Sequence, residues 1–303
     1  MLVVAKPVGP TSHDVVGLVR RLAATKRVGH GGTLDPFASG VLPVFLGKAT
    51  RLVEYHLGDR KRYRATVCFG ASSTTDDLEG ALTAAAGPAP SRDAVEAALA
   101  GFRGPIEQRP PAFSAIKVAG RRAYALARAG EAVALAPRSV TIHALELVDW
   151  DEATEGEPIA IVDVECSAGT YVRSLARDLG ATVGSAAYLG ALTRTASGPF
   201  ELAAAVDLDA VRSAAAVGPS ALAGLLLPID AGLDLPTIAV PDAALVALGR
   251  GQPIGVPAGT GPLDAEAPIR LVDSGGRLLA IARLSGTKLA PDKVLVEPES
   301  PAQ

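Results

Sequence analysis

Asp35 lies in the run Gly29-His30-Gly31-Gly32-Thr33-Leu34-Asp35-Pro36, with Gly40 soon after. The following proline biases the aspartate toward an extended backbone, and the glycines let a ligand's backbone approach closely. A carboxylate presented in this way can act as a nucleophile. The same residues also spell an ordinary Asp-Pro turn, and residue chemistry alone leaves both readings open.

Tyr63 sits in Arg60-Lys61-Arg62-Tyr63-Arg64, four basic residues around one ring. Such a cluster can hold phosphates while the ring stacks on an exposed base. A core tyrosine flanked by solvated arginines gives the same pattern. In Gly169-Thr170-Tyr171-Val172-Arg173 a strand turns into a helix, and Arg177 follows Arg173 by one helical turn. An arginine near the start of a helix opposes the local dipole, so Arg173 calls for an anionic partner: a phosphate, a buried carboxylate, or a surface ion pair with Asp178 or a neighbour.

Other patterns carry less. Ser12-His13-Asp14 has the residue types of a catalytic triad, but adjacent residues cannot line up as nucleophile, base and orienter. Gly40 to Ala49 ends in Gly47-Lys48, yet its glycine spacing is too long for a phosphate loop and Ala49 replaces the magnesium-binding hydroxyl. Asp76, Asp77 and Glu79 before Gly80 read as an exposed turn rather than a metal site. Histidines 13, 30, 56 and 143 are too scattered for a zinc pattern.

Several elements must position these groups. Leu2 to Ala5 reads as a strand, and Thr11 with Asp14 has the spacing of a capping box ahead of an amphipathic helix over 13–24 with a basic outer face. Over 62–69, Tyr63, Ala65, Val67 and Phe69 share one strand face and Arg62, Arg64, Thr66 and Cys68 the other. Helices are expected over 92–100, 121–129 and 171–180, and strands over 139–149 and 159–167. Strands and helices mix without regular alternation, so the fold class is α+β. An Ala-rich stretch, 202–227, reads as helical, and a boundary follows near Pro228 to Pro236. The remainder has short apolar runs broken by Pro and Gly, with a turn at Asp273-Ser274-Gly275-Gly276, as suits a small β-rich domain.

Composition agrees with a globular chain: 49% of the 303 residues are hydrophobic and 20% charged. The start lacks the pattern of a signal peptide, and the apolar stretch Ala221 to Leu227 stops at Pro228, so a soluble protein is expected. Two cysteines make no disulfide framework. Net charge is −3, but residues 1–128 carry 18 Lys and Arg against 10 Asp and Glu, and residues 129–303 carry 11 against 22. That asymmetry suggests one cationic face on an acidic chain.

Taken together the segments resemble the bacterial tRNA pseudouridine synthase B (TruB) family over about residues 1–200. The resemblance rests on Lys6-Pro7 with Gly9 and Thr11 to Asp14, on Gly29 to Pro36 running through Gly40-Val41-Leu42-Pro43 and Gly47-Lys48-Ala49-Thr50, and on Lys61-Arg62-Tyr63. It continues in Ser114-Ala115-Ile116-Lys117, Gly169 to Arg173, and Leu189 with Leu192, Arg194 and Ser197-Gly198. Ala5 stands where an acidic residue often precedes Lys-Pro, and Gly190 and Ala191 interrupt the usual basic run near Leu192.

The resemblance implies a mixed, mainly antiparallel central sheet flanked by helices in a catalytic domain, 1–230, and a PUA-like RNA-binding domain, 235–303. It implies isomerisation of uridine 55 in the T-arm loop of tRNA to pseudouridine, with base flipping, Asp35 as nucleophile, and no metal or organic cofactor. Tyr63 would stack on the flipped base, Arg173 would hold Asp35 charged, and His30 would fill space beside the nucleotide. Leu189 would line the base pocket, Tyr171 belongs to the substrate site, and Lys6, Lys61 and Lys117 are phosphate or structural contacts. A cytoplasmic monomer with tRNA as partner and no membrane association is expected. The alternatives are an RNA-binding or RNA-folding module with dispensable catalysis, and a synthase acting on another structured RNA.

Overall fold

The computed structural model describes residues 1–114, 116–118, 120–129, 131, 135–152 and 157–296. Eight of its strands carry the argument: β1 (Leu2–Lys6), β2 (Val28–His30), β3 (Ser39–Leu46), β4 (Lys61–Phe69), β5 (Gly104–Gln108), β6 (Arg138–Asp151), β7 (Ile159–Cys166) and β8 (Ala187–Ser197). They join the short strands Phe200–Glu201 and Val206–Asp207 in one ten-stranded sheet. Its order is Val206–Asp207, β1, β3, β8, β4, β7, β6, β5, with β2 on β3 and Phe200–Glu201 on β8. Only Val206–Asp207 with β1 and β3 with β8 run parallel; the sheet is mixed and mainly antiparallel.

The expected periods account for the elements. In β4, Lys61, Ala65, Val67 and Phe69 are buried while Arg62 and Arg64 are exposed, a strict alternation. Helix α1 (Ser12–Leu22) buries Val15, Val16 and Val19 and starts with a reciprocal capping box between Thr11 and Asp14. Helices α2 (Arg92–Leu99) and α3 (Val172–Thr182) contribute Val95, Leu99, Leu175 and Leu179 to the main core against β4, β7 and β8. The helix expected over 121–129 is present as Ala123–Arg128.

The Ala-rich stretch differs from expectation. It is not one helical segment: Val206–Asp207 extends the sheet beside β1, and only Leu208–Val217 and Pro219–Ala223 are α-helical. Gly218, at φ 142°, interrupts the helix, and Pro219 can restart it because a first-turn proline needs no donor. The second sheet begins at Thr237 and has five strands around its own core of Ile238, Leu248, Leu271, Leu279 and Leu289. The turn at Asp273 joins two of them, with Gly276 N–H donating to the Asp273 carbonyl. A separate apolar cluster, Leu52, Leu233, Val272, Leu278, Ile281 and Leu295, seats this β domain on the first.

One lateral row of the large sheet sets up the site. Lys6 pairs with Gly40, Gly40 with Arg194, and Arg194 with Tyr63. Gly40 has φ +109°, and a Cβ there would lie 2.2 Å from the Arg194 carbonyl oxygen. Gly40→Ala is therefore expected to cost ~3 kcal/mol or more, combining backbone strain with a clash neither strand can relieve. Urea unfolding measures it; a loss within ~0.5 kcal/mol, the range of an ordinary surface change, would show that the row tolerates a side chain.

Candidate active site

The loop carrying Asp35 is held at nearly every backbone group. Ser12, the first residue of α1, accepts at Oγ from Leu34 N–H at 2.8 Å and donates to the Leu34 carbonyl at 3.0 Å. Arg194 is 1% exposed and donates to the carbonyls of Gly32, Thr33 and Val41 at 3.1, 3.3 and 2.7 Å. Lys6 is equally buried and donates to the carbonyls of Pro7, Pro10 and Pro36 at 2.9, 2.8 and 3.4 Å. These bonds offset the loss of water around both cations. Burial still pushes the Lys6 amine down to about 8, against the opposing pull of Asp35. A clamped loop presents a reactive group at little reorganisation cost.

Asp35 stands at the open end of this frame, its side chain 36% exposed. Arg173 Nε lies 3.1 Å from Asp35 Oδ2. Both Nη groups are held elsewhere: Nη1 reaches the Thr75 carbonyl and Asp77 Oδ2, both at 3.1 Å, and Nη2 reaches the Phe113 carbonyl at 3.0 Å. The fork is thus oriented by groups other than Asp35. Burial raises the Asp35 pKa, Arg173 opposes that most strongly, Asp77 adds to it, and Lys6 lowers it. Burial outweighs the two cations, so Asp35 keeps a carboxyl more basic than an ordinary aspartate.

Asp77 corrects the sequence reading. The turn exists, but Asp77 is 2% exposed, accepts from Thr75 Oγ1 and from Glu79 N–H, and pairs with Arg173. Its neighbour Asp76 pairs with Arg177 at 2.7 Å. Two of the three carboxylates read as solvent-exposed are the anionic partners of the two helix arginines. Arg177 also pairs with Asp178, whereas Arg173 pairs with Asp35 and Asp77.

Tyr63 packs half-buried against the main core with the Arg194 guanidinium beside it, and burial pushes its phenol pKa up. The basic residues of its segment do not surround it. Arg62 and Arg64 lie on the opposite face and pair with Glu201 and Asp163, and Arg60 pairs with Glu165. Strand alternation separates them from the ring by the thickness of the sheet. Lys61 is buried and donates to the carbonyls of His56, Leu57 and Asp59, a loop-holding role rather than a phosphate contact.

His30 ends β2, and its Nδ1 accepts from Gly32 N–H at 3.3 Å. Burial and nearby Arg194 lower its pKa, which favours the neutral ring. Tyr171 caps α3: buried Gln108 accepts from its N–H at 2.7 Å and donates to its carbonyl at 3.0 Å, two residues before Arg173. The Tyr171 ring lies under Arg138 at 5.9 Å. Leu189 is fully buried, and its backbone bonds to Asp76 and Leu78 tie down the carboxylate turn. Lys117 belongs to a two-residue strand paired with Arg121–Arg122, and its side chain lies outside the described residues. Among the described residues no three His, Cys, Asp or Glu side chains converge as metal ligands.

Asp77, Arg194 and Gln108 complete the site and were not expected from local sequence. Arg194 had a signal: an arginine between Leu192 and Ala196 on a buried strand face needs internal acceptors.

Comparison with known proteins identifies the family. A model of the TruB family pseudouridylate synthase N-terminal domain matches residues 20–172, and one of the tRNA pseudouridylate synthase B C-terminal domain matches residues 173–234. The tRNA pseudouridine synthase B of Bradyrhizobium diazoefficiens is 44% identical over 297 residues, covering 97% of this chain and 84% of the relative. That of Gloeobacter violaceus is 50% identical over 221 residues, covering 72% and 75%. The chain also matches a crystal structure of a Cbf5-Nop10-Gar1 complex with TM-score 0.73 and 26% identity, covering 98% of this chain and 85% of the other. The matched sequence defines a pseudouridine synthase. Within that class, the chain belongs to the TruB family.

Proposed function

We propose that the chain converts uridine 55 in the T-arm loop of tRNA to pseudouridine, with Asp35 as the nucleophile. The observation that carries this is the partly exposed Asp35 carboxylate on a clamped loop, held 3.1 Å from Arg173, whose two Nη groups are fixed by other acceptors. The relatives named tRNA pseudouridine synthase B supply the substrate class.

The reaction breaks the N1–C1′ bond, turns the base, and forms a C5–C1′ bond; one proton leaves C5 and one is gained at N1. Atoms and electrons balance within the nucleotide. The base must leave its stack first, at a cost of a few kcal/mol. Tyr63 replaces that stacking, worth roughly 1–3 kcal/mol per base. Arg173 keeps Asp35 ionised against burial, and Ser12, Lys6 and Arg194 fix where its carboxylate points.

The test is pseudouridine mapping, uridine by uridine, on a T-arm stem-loop and on hairpins of ribosomal and small nuclear RNA. Conversion confined to uridine 55 of the T-arm is expected. A protein that binds the T-arm yet forms no pseudouridine, or that turns over the other hairpins equally well, would refute the assignment.

A further inference from the structure

Many of the cations of this chain are neutralised by carboxylates. Arg60, Arg62, Arg64, Arg177, Arg212, Arg270, Arg277 and Arg283 each pair with a carboxylate. Arg20, Arg21, Lys26 and Arg27 have no such partner among the described residues, although the chain is acidic overall. Arg21, Lys26 and Arg27 are exposed, and half-buried Arg20 has an Nε with no hydrogen-bond partner.

Local backbone geometry gathers them. Helix α1 ends with Ala24 in the left-handed region at φ 46°; Ala24 N–H donates to the Arg21 carbonyl and Thr25 N–H to the Arg20 carbonyl. This is a Schellman closure, which ends the helix and leads the chain directly through Lys26 and Arg27 into β2. Gly47 N–H then donates to the Arg27 carbonyl, tying the cluster to the segment that leads to the C-terminal β domain. On that segment Arg51 donates to the Val294 carbonyl, and Glu54 pairs with Lys293.

Position supplies the ligand. The first residue of α1, Ser12, holds the Asp35 loop, and the cluster sits at the other end of the same helix. Eleven residues put it ~16 Å from the loop. At a strand spacing of about 3.4 Å per nucleotide, that is roughly five nucleotides from the flipped base, beyond a hairpin loop and onto its paired stem. We propose that Arg20, Arg21, Lys26 and Arg27 form a landing for the sugar–phosphate backbone of the RNA stem, between the reacting base and the C-terminal β domain. This rests on the reading of the chain as an enzyme acting on an RNA stem-loop. The landing sets affinity and register, while the Asp35 loop sets chemistry.

The experiment uses the full chain with Arg21→Gln, Lys26→Gln and Arg27→Gln combined, and a T-arm stem-loop as probe. Each lost phosphate contact lowers the slope of log affinity against log salt by about one, so a drop of about two to three is expected. Kd at ~0.1 M salt should rise ~10- to 100-fold, with turnover at saturating RNA unchanged. Cutting the stem back by the pairs farthest from the loop should erase the difference between wild type and variant. Arg62→Gln with Arg64→Gln, which removes two paired cations from the opposite face, should leave Kd and slope as they were. A triple variant with wild-type Kd and slope overturns the landing, as does an Arg62/Arg64 variant that weakens binding equally. Should the triple variant not fold, the three single variants, each expected to lose about one unit of slope, decide the matter. The landing is read from binding and the enzymatic assignment from pseudouridine formed, so the two fail separately.

Discussion

Asp35→Asn is expected to abolish pseudouridine formation, by ~10^4-fold or more in single turnover, while RNA affinity stays within a few-fold of wild type. Asparagine keeps the shape and one acceptor for Arg173 but cannot act as an anionic nucleophile. The folded chain should be at least as stable as wild type at neutral pH. The sign follows from the raised pKa: ionised Asp35 is penalised by burial in the folded state and not in the unfolded chain. The penalty is fully present above the folded pKa and fades as pH falls through that value toward the unfolded value of about 3.9. Any gain from Asp35→Asn should therefore shrink with acidification. For the same reason the acid limb of wild-type kcat/KM should lie above the ordinary aspartate range. Turnover by the asparagine variant within tenfold of wild type would remove Asp35 from the role of nucleophile.

Arg173→Met should damage both chemistry and fold. Its guanidinium is the shared partner of Asp35 and of Asp77, whose side chain is 3% exposed. Removing one partner of a buried pair leaves the other charge uncompensated, and a loss of ~3–5 kcal/mol is expected. Turnover should fall by about a thousandfold, because Asp35 loses both its charge partner and its orientation. Two measurements separate this from general misfolding. The stability deficit relative to wild type should narrow as pH falls, since protonation relieves carboxylates whose pKa values the substitution raises. Arg173→Met combined with Asp77→Asn should recover part of the deficit by removing the stranded charge. A deficit independent of pH and unimproved in the double variant would mean that Arg173 matters for packing rather than for charge.

The two variants probe parts of the molecule that were unequally visible in the sequence. Alternation over 62–69, the capping box at Thr11 and Asp14, and the 3.6-residue period of α1 and α3 are local patterns, and each element formed where its pattern lay. The long run around Asp35 marked the family. The position of Arg173 at a helix start required an anion nearby, because that requirement follows from the helix dipole alone.

Which anion it found was a tertiary matter. Arg173 and Asp77 are 96 residues apart, and Arg194 reaches the Gly32 carbonyl across 162. No local period encodes such meetings; they follow from the strand order and register that carry β8 between β3 and β4. Asp77 therefore looked like a surface turn, and the cluster around Tyr63 looked like a single basic site although alternation sends its arginines to the other face. Charge composition showed that the front half was cationic, but only packing separated cations neutralised by carboxylates, such as Arg62 and Arg64, from Arg20, Arg21, Lys26 and Arg27, which have no such partner among the described residues. Local pattern was enough for most of the elements and for the run that marks the family around Asp35, because both depend on neighbours in the chain. The ion-pair network and the cationic surface depend on neighbours in space, and the fold alone supplies those.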